Sequence, residues 1–397
     1  MTLLQRLSRL VLPPLLLLGA LLAYRLTLVA ASSGKSESIA PAGSHRPWTI
    51  TPVQAEPRIV TDRQLFDVLD RVKPPARPAQ TNSYVHALRL WGPKADFGDP
   101  AVPSGAELRD YFLSDRTFRQ VAGEAAPPLF YVDKDGLNVR SFDDRIDHRD
   151  SSSHHVDDLL ATFAETGLPL DTPLQMRDGE ATIADLLDAS MRRFHLDRLE
   201  YEWSTIVYAR YLFPLKSWRN SNGEKISLQN MVEELISHPF EAGPCNGLHR
   251  LEALAVLYRA DEQCQELPPL TRAKMIAYMK AVSDRLVTSQ TSEGYWTRRW
   301  PQGEAASTDP TAKLYDKILV TGHHLEWLAL APDEVQPPRE TIVRAGQWLA
   351  RTLTEMDPKS IVQAYGPYSH AARALCLWRQ VEPYQAWQNG KNERPLP

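Results

Sequence analysis

Five polar residues recur in this chain at a repeating interval, each near the start of a strongly apolar stretch. His155, Glu202, His249, His323 and His370 are separated by 47, 47, 74 and 47 residues, and His86 lies 69 residues before His155. A recurring interval of this size marks one supersecondary unit used repeatedly. Amphipathic helices are expected at about 62–72, 106–120, 181–194, 228–237, 271–289 and 340–355. A second, more apolar helix follows each, beginning near Ser83, Ser153, Tyr201, Leu248, Gly322 and Ser369. The pattern predicts six helical hairpins.

A helix that is apolar all round must be surrounded by other elements. The second helices therefore belong inside and the amphipathic first helices outside. Closing six such hairpins into a ring satisfies both sets. An open solenoid would expose one end and need a polar capping face, which neither terminal unit supplies. The expected fold is all-α: an α6/α6 toroid over 62–390. Two insertions account for the longer intervals. One is a small β-hairpin, Leu129–Phe142, with turn chemistry at Asp135-Gly136; the other is the loop Ser292–Lys317.

Ahead of the toroid, Arg6 and Arg9 precede an apolar run from Leu10 to Ala31, broken by Pro13, Pro14 and Arg25. Residues 1–31 read as a signal peptide or a membrane anchor, and the anchor is favoured because the run outlasts an ordinary signal core. Residues 32–61, rich in Pro and Ser, read as a flexible linker. The toroid is then extracytoplasmic, in the cell envelope, membrane-anchored or secreted. Cys245 and Cys264 flank a predicted helix of about 13 residues, roughly 20 Å long. They should not form a disulfide. Cys376 reads as a small core residue.

The remaining composition narrows the function. Of the 397 residues 43% are hydrophobic and 24% charged, which excludes a mostly disordered chain. A net charge of -4 gives no electrostatic reason to expect nucleic acid. No Gly-rich loop suggests a nucleotide, and no cofactor is expected.

In a toroid the inner helices run in one direction, so His86, His155, Glu202, His249, His323 and His370 should share one mouth. Three residues on, along the same helix face, stand Arg89, Asp158, Thr205, Glu252, Glu326 and Arg373. Two polar tiers in an apolar barrel suggest a wet pocket, because buried polar groups are costly unless paired. A helix N-terminus disfavours imidazolium, so neutral histidines able to accept a proton are expected there. Metal binding is the rival use of His with carboxylate. It is not expected, because the ligands would come from separate helices without a compact HExxH-type pair. Trp296, with Tyr295, Arg298, Arg299 and Trp300, is expected in a lid that stacks on a sugar ring. Trp203 and Trp327 are expected to pack between helices.

Three segments resemble a known family. His249-Arg-Leu-Glu252-Ala-Leu, Gly322-His323-His324-Leu325-Glu326 and Pro367-Tyr368-Ser369-His370-Ala371-Ala372-Arg373-Ala374 are similar, in order, to segments of the N-acylglucosamine 2-epimerase and cellobiose 2-epimerase family. The resemblance implies an α6/α6 toroid that moves a proton beside a sugar carbonyl. It implies His323 and His370 as acid and base, with His249, Glu252, Glu326 and Arg373 shaping the site and His324 competing with His323. A second likeness is structural. Leu286-x3-Gln290-x3-Gly294-x-Trp296 is similar to the QW motif of squalene–hopene cyclase relatives, also α/α toroids, but no D-x-D-D acid motif accompanies it. The leading expectation is epimerase or isomerase chemistry on a small-molecule or carbohydrate ligand. The alternatives are a non-catalytic envelope scaffold or binding module, and another toroid enzyme such as a polysaccharide lyase or hydrolase.

Overall fold

Helices begin where the sequence combines an apolar stripe with a cap. In the computed structural model, which describes residues 39–41, 45–140, 155–198 and 200–392, fifteen α-helices dominate. In chain order they are α1 (Asp62–Arg71), α2 (Thr81–Trp91), α3 (Gly105–Leu113), α4 (Asp115–Ala122), α5 (Asp158–Glu165), α6 (Ile183–Arg193), α7 (Glu202–Tyr211) and α8 (Leu228–Ser237). They continue with α9 (Leu248–Cys264), α10 (Pro269–Ser289), α11 (Leu314–Leu330), α12 (Arg339–Glu355), α13 (Pro358–Gln363), α14 (Tyr365–Arg379) and α15 (Pro383–Asn392). Reciprocal capping boxes start α1, α3 and α6: Thr61 with Gln64, Ser104 with Glu107, and Thr182 with Asp185. Each satisfies two otherwise unpaired N–H groups.

The fold is mostly helical, and the apolar helices pack in a definite order. α2 contacts α5, α5 contacts α7, α7 contacts α9, α9 contacts α11, α11 contacts α14, and α14 contacts α2 again. The amphipathic helices pack outside these, α10 against α8 and α9, and α12 against α11 and α1. Residues from Ala40 onward belong to one compact unit. Three two-stranded antiparallel hairpins interrupt the helices: β1–β2 (Phe130–Asp133, Gly136–Val139), β3–β4 (Pro173–Met176, Gly179–Thr182) and β5–β6 (Trp218–Arg219, Lys225–Ile226). The first is the expected insertion. The other two carry the same kind of turn chemistry, at Asp178-Gly179 and within the loop at Asn222-Gly223, and that was the available signal, since strands of two to four residues show no alternation.

Two helices begin earlier than the apolar pattern suggests. α11 starts at Leu314, inside the expected loop, and α14 starts at Tyr365. The first turn of α11 stands in solvent, with Leu314 and Tyr315 exposed, so no apolar periodicity announces it. His323 is thus a mid-helix residue and the helix-end electrostatic argument does not reach it. All three cysteines are free.

The expected linker needs correction. Residues 1–31 and most of 32–44 lie outside the described residues, but 45–60 form a docked strap. Trp48 N–H donates to Arg210 O, Val53 and Gln54 N–H to Ala329 O, and Glu56 N–H to Trp378 O. These acceptors lie near the C-termini of α7, α11 and α14, where helical carbonyls lack intrahelical partners. Pro and Ser content alone does not reveal such docking. Among the described residues no helix is long and apolar enough to cross a membrane.

Ile59 of the strap is fully buried against α12, where a Cβ on Gly346 would lie 2.5 Å from the Ile59 Cβ. Gly346→Ala should therefore destabilise the chain by about 1–3 kcal/mol. Ile59→Gly removes the clashing Cβ, so the loss in the double variant should be smaller than the sum of the two single losses. Thermal unfolding of the single and double variants reads both effects, and an unshifted midpoint in Gly346→Ala would show that the strap is not seated there.

Candidate functional site

Five imidazoles converge among the apolar helices. The His323 and His370 ring centroids are 4.0 Å apart, His249 lies 5.0 Å from His323, His155 4.8 Å from His249, and His86 5.2 Å from His370. His249, His323 and His370 are buried. Glu326 orients two of them: its Oε2 accepts from Nδ1 of His323 at 3.1 Å and from Nδ1 of His370 at 2.8 Å. A carboxylate acceptor at Nδ1 fixes the proton there and leaves Nε2 to exchange protons. His86 Nδ1 is held by the Asn82 carbonyl at 2.8 Å, and His155 Nδ1 stands 3.3 Å from both Glu200 oxygens.

The second tier is a buried ion network. Arg373 donates to Glu252 Oε1 at 2.8 Å, Glu326 Oε1 at 3.0 Å and Glu165 Oε1 at 2.9 Å. Arg89 pairs with Asp158 and with Glu165, and its guanidinium lies 4.2 Å above the Trp203 ring. Arg210 approaches Glu165 at 3.7 Å. Beyond this network, toward the C-termini of the inner helices, a cavity of about 430 Å³ is lined by Arg89, Glu165, Arg210, Arg373 and the strap. The imidazoles lie on the network's other side.

The structure adds a residue the sequence reading left aside. The Cys245 thiol faces His155, His249 and His323. It sits just before α9 in a run of left-handed backbone: Cys245 has φ 48°, Asn246 φ 63° and Gly247 φ 76°. Such conformations cost non-glycine residues of order 1–3 kcal/mol each and persist only where the surroundings fix them. Asn246 Nδ2 donates to Arg298 O at 2.8 Å, and a Cβ on Gly247 would sit 1.9 Å from Phe240 O. Cys245 and His249 are four residues apart, so a Cys-x3-His signal at a helix start was available in the sequence.

Charge states divide the cluster. Burial alone would lower His323 and His155, but the Cys245 thiol outweighs it, with Glu326 for His323 and Glu200 for His155, raising each to about 10. His86 is lowered to about 4 by burial, despite nearby Asp158. Burial, then the neighbouring His323 charge, takes His370 well below its usual value. Burial would raise the Cys245 thiol, yet His249, His155 and His323 hold it well below the usual thiol range. The expectation of uniformly neutral histidines is thus corrected: burial rather than a helix end pushes His86 and His370 down, while the Cys245 thiol and a carboxylate push His155 and His323 up.

Other expected site residues fall elsewhere. Glu202 is buried, but its Oε2 accepts from the Tyr201 N–H, and on α7 Trp203 faces His249 at 4.9 Å instead. Burial raises the Glu202 carboxyl. Thr205 Oγ1 turns back to the Tyr201 carbonyl. Trp296 is fully buried, donates its indole N–H to Leu286 O, and packs edge-on against His324. Trp300 is likewise buried against Phe240 and His324. These aromatics form wall rather than lid, because the loop folds inward through Gln290, whose side chain donates to Gly294 O and Thr341 O. His324 accepts from the Trp327 indole, so His323 alone of that pair joins the cluster.

Replacing Arg373 with Met takes the cation from buried Glu252 and removes one partner each from Glu326, which keeps its imidazoles, and Glu165, which keeps Arg89. Chemical denaturation should show a loss of about 3–5 kcal/mol, and a loss under 1 kcal/mol would mean that water already screens the network. Asp158 gives an acid dependence. Burial opposes its charge, but Arg89, then His86 and His155, hold its pKa down to about 2. A folded pKa below the unfolded value contributes stability that is complete above about pH 4 and lost as pH falls toward 2. Acid unfolding of Asp158→Asn should be shallower than wild type across that interval.

Comparison of the chain with family models, curated proteins and solved structures finds no match. The likeness to the sugar 2-epimerases therefore rests on the three segments themselves.

Proposed function

We propose that the chain is an extracytoplasmic, membrane-anchored or secreted α6/α6 toroid that catalyses isomerase-type proton transfer on a sugar-like carbonyl compound. The toroid reading is supported by the order in which the six apolar helices contact one another, with the last returning to the first. The chemistry is carried by one observation: His323 and His370 share Glu326 through their Nδ1 atoms. Both rings are thereby aimed with Nε2 as the proton-exchanging nitrogen.

The spacing of the pair favours one reaction within this class. Inverting a carbon by two bases requires one on each side of it, about 7 Å apart across two van der Waals contacts. Ring centroids 4.0 Å apart leave no room for a ligand between them. A ligand would meet both rings from one side. A proton removed from the carbon beside the carbonyl would be delivered on the same face to the former carbonyl carbon, while the second imidazole passes the hydroxyl proton to the carbonyl oxygen, giving a 1,2-shift through an enediol. Glu252 and Glu326 do not favour the hydrolase alternative, since Arg373 holds both and no opposed pair is presented.

The full chain incubated with carbonyl sugars in deuterium oxide should place deuterium beside the carbonyl. His323→Ala and His370→Ala should each slow exchange by about 10²–10⁴. Wild-type exchange that neither variant reduces would remove the acid–base reading.

A further inference from the structure

Outside the Glu326-linked pair lies a cluster of side chains that the proton-transfer reading does not use. The ligand-type atoms of His155, Cys245 and His249 all lie within 4.8 Å of one another. We propose that Cys245, His155 and His249 form a binding site for a zinc-type divalent cation, with an open fourth position beside His323.

The donor set suits such an ion. One thiolate and two imidazoles are borderline-soft ligands that favour zinc over magnesium or calcium. Donor atoms around a tetrahedral zinc are about 3.3–3.8 Å apart, so the observed cluster needs only small side-chain rotations to close. Binding would release to solvent the proton that Cys245 and His155 share, leaving the sulfur as the anionic ligand and His155 as a neutral one.

Three further observations point to a ligand rather than to packing. Nδ1 of His249 is buried without a hydrogen-bond partner, an expensive state in a side chain that is almost wholly enclosed. His155 has Glu200 at Nδ1, the carboxylate–imidazole arrangement that orients a metal-binding ring and sets its tautomer. The left-handed run from Cys245 to Gly247 aims the thiol at the imidazoles against a conformational cost. Cys245 and His249 come from one helix start, and His155 from the segment before α5, so the ion would tie two inner elements together.

The test needs no substrate. The full chain purified without chelator should contain about one zinc per chain by mass spectrometry. After chelation and titration with cobalt(II) it should develop a thiolate-to-cobalt charge-transfer band in the near ultraviolet. Cys245→Ser should abolish the band, and His249→Ala should weaken metal binding about 100-fold or more. Cys264→Ser, at the far end of α9, should keep both. Should a ligand variant fail to fold by circular dichroism, the wild-type and Cys264→Ser spectra still decide. A metal-free chain with no cobalt band, or a Cys245→Ser chain that binds like wild type, overturns the site. Either result leaves the proton-transfer reading standing, and unchanged deuterium exchange in the His323 and His370 variants leaves the metal site standing.

Discussion

Everything at the centre of this molecule depends on where one guanidinium is placed. Arg373 on α14 reaches carboxylates from three other helices: Glu165 at the end of α5, Glu252 on α9 and Glu326 on α11. A buried cation is tolerable only when paired and hydrogen-bonded, and each of these carboxylates is tolerable for the same reason. Burial opposes the charge on Arg373, but the three carboxylates outweigh it and hold its pKa well above the usual value. The four helices cannot slide past one another without breaking a charged contact in a low-dielectric interior. Registry among helices that are otherwise smooth and apolar is thereby set.

From Arg373 the order passes outward through Glu326. One oxygen accepts from the guanidinium and the other from two imidazoles, so the carboxylate cannot rotate without losing one set. The His323–His370 pair inherits a fixed orientation. Cys245 is placed by a different device, the left-handed turn before α9, which is locked by Asn246 and by the absence of a side chain at Gly247. Helix registry and loop strain thus meet at His323, which touches both Glu326 and the thiol.

Much of this was legible in the residues before any coordinates. The 47-residue interval located apolar helices, and α8 occupies the span that its apolar stripe marked, Leu228–Ser237. The histidine register found all five converging imidazoles, four of them on contacting apolar helices and His155 just before α5. It failed at Glu202 because α7 presents its next residue, Trp203, to His249. A rotation of one residue, about 100°, is below what a spacing argument resolves. The strap escaped notice because its binding is through backbone N–H groups, which every sequence carries alike. For Cys245, the distance from Cys264 bears only on whether a disulfide can form. Its four-residue spacing from His249 was the better signal.

The energetic balance of the centre argues for a role beyond holding the fold together. Arg89, Arg210, Arg373, Asp158, Glu165, Glu252 and Glu326 could in principle give way to packed apolar side chains, and such exchanges are often neutral or stabilising. An ion network of this size is therefore poor at explaining stability and good at fixing position. Its geometry has that character. No arginine in it makes a hydrogen bond to an imidazole; each acts through a carboxylate, and only Glu326 bridges to the histidines. The arrangement restricts one carboxylate to one orientation and, through it, two imidazole rings. A core built only for stability would have no use for that restriction, whereas a proton-transfer site misaligned by an ångström loses most of its rate.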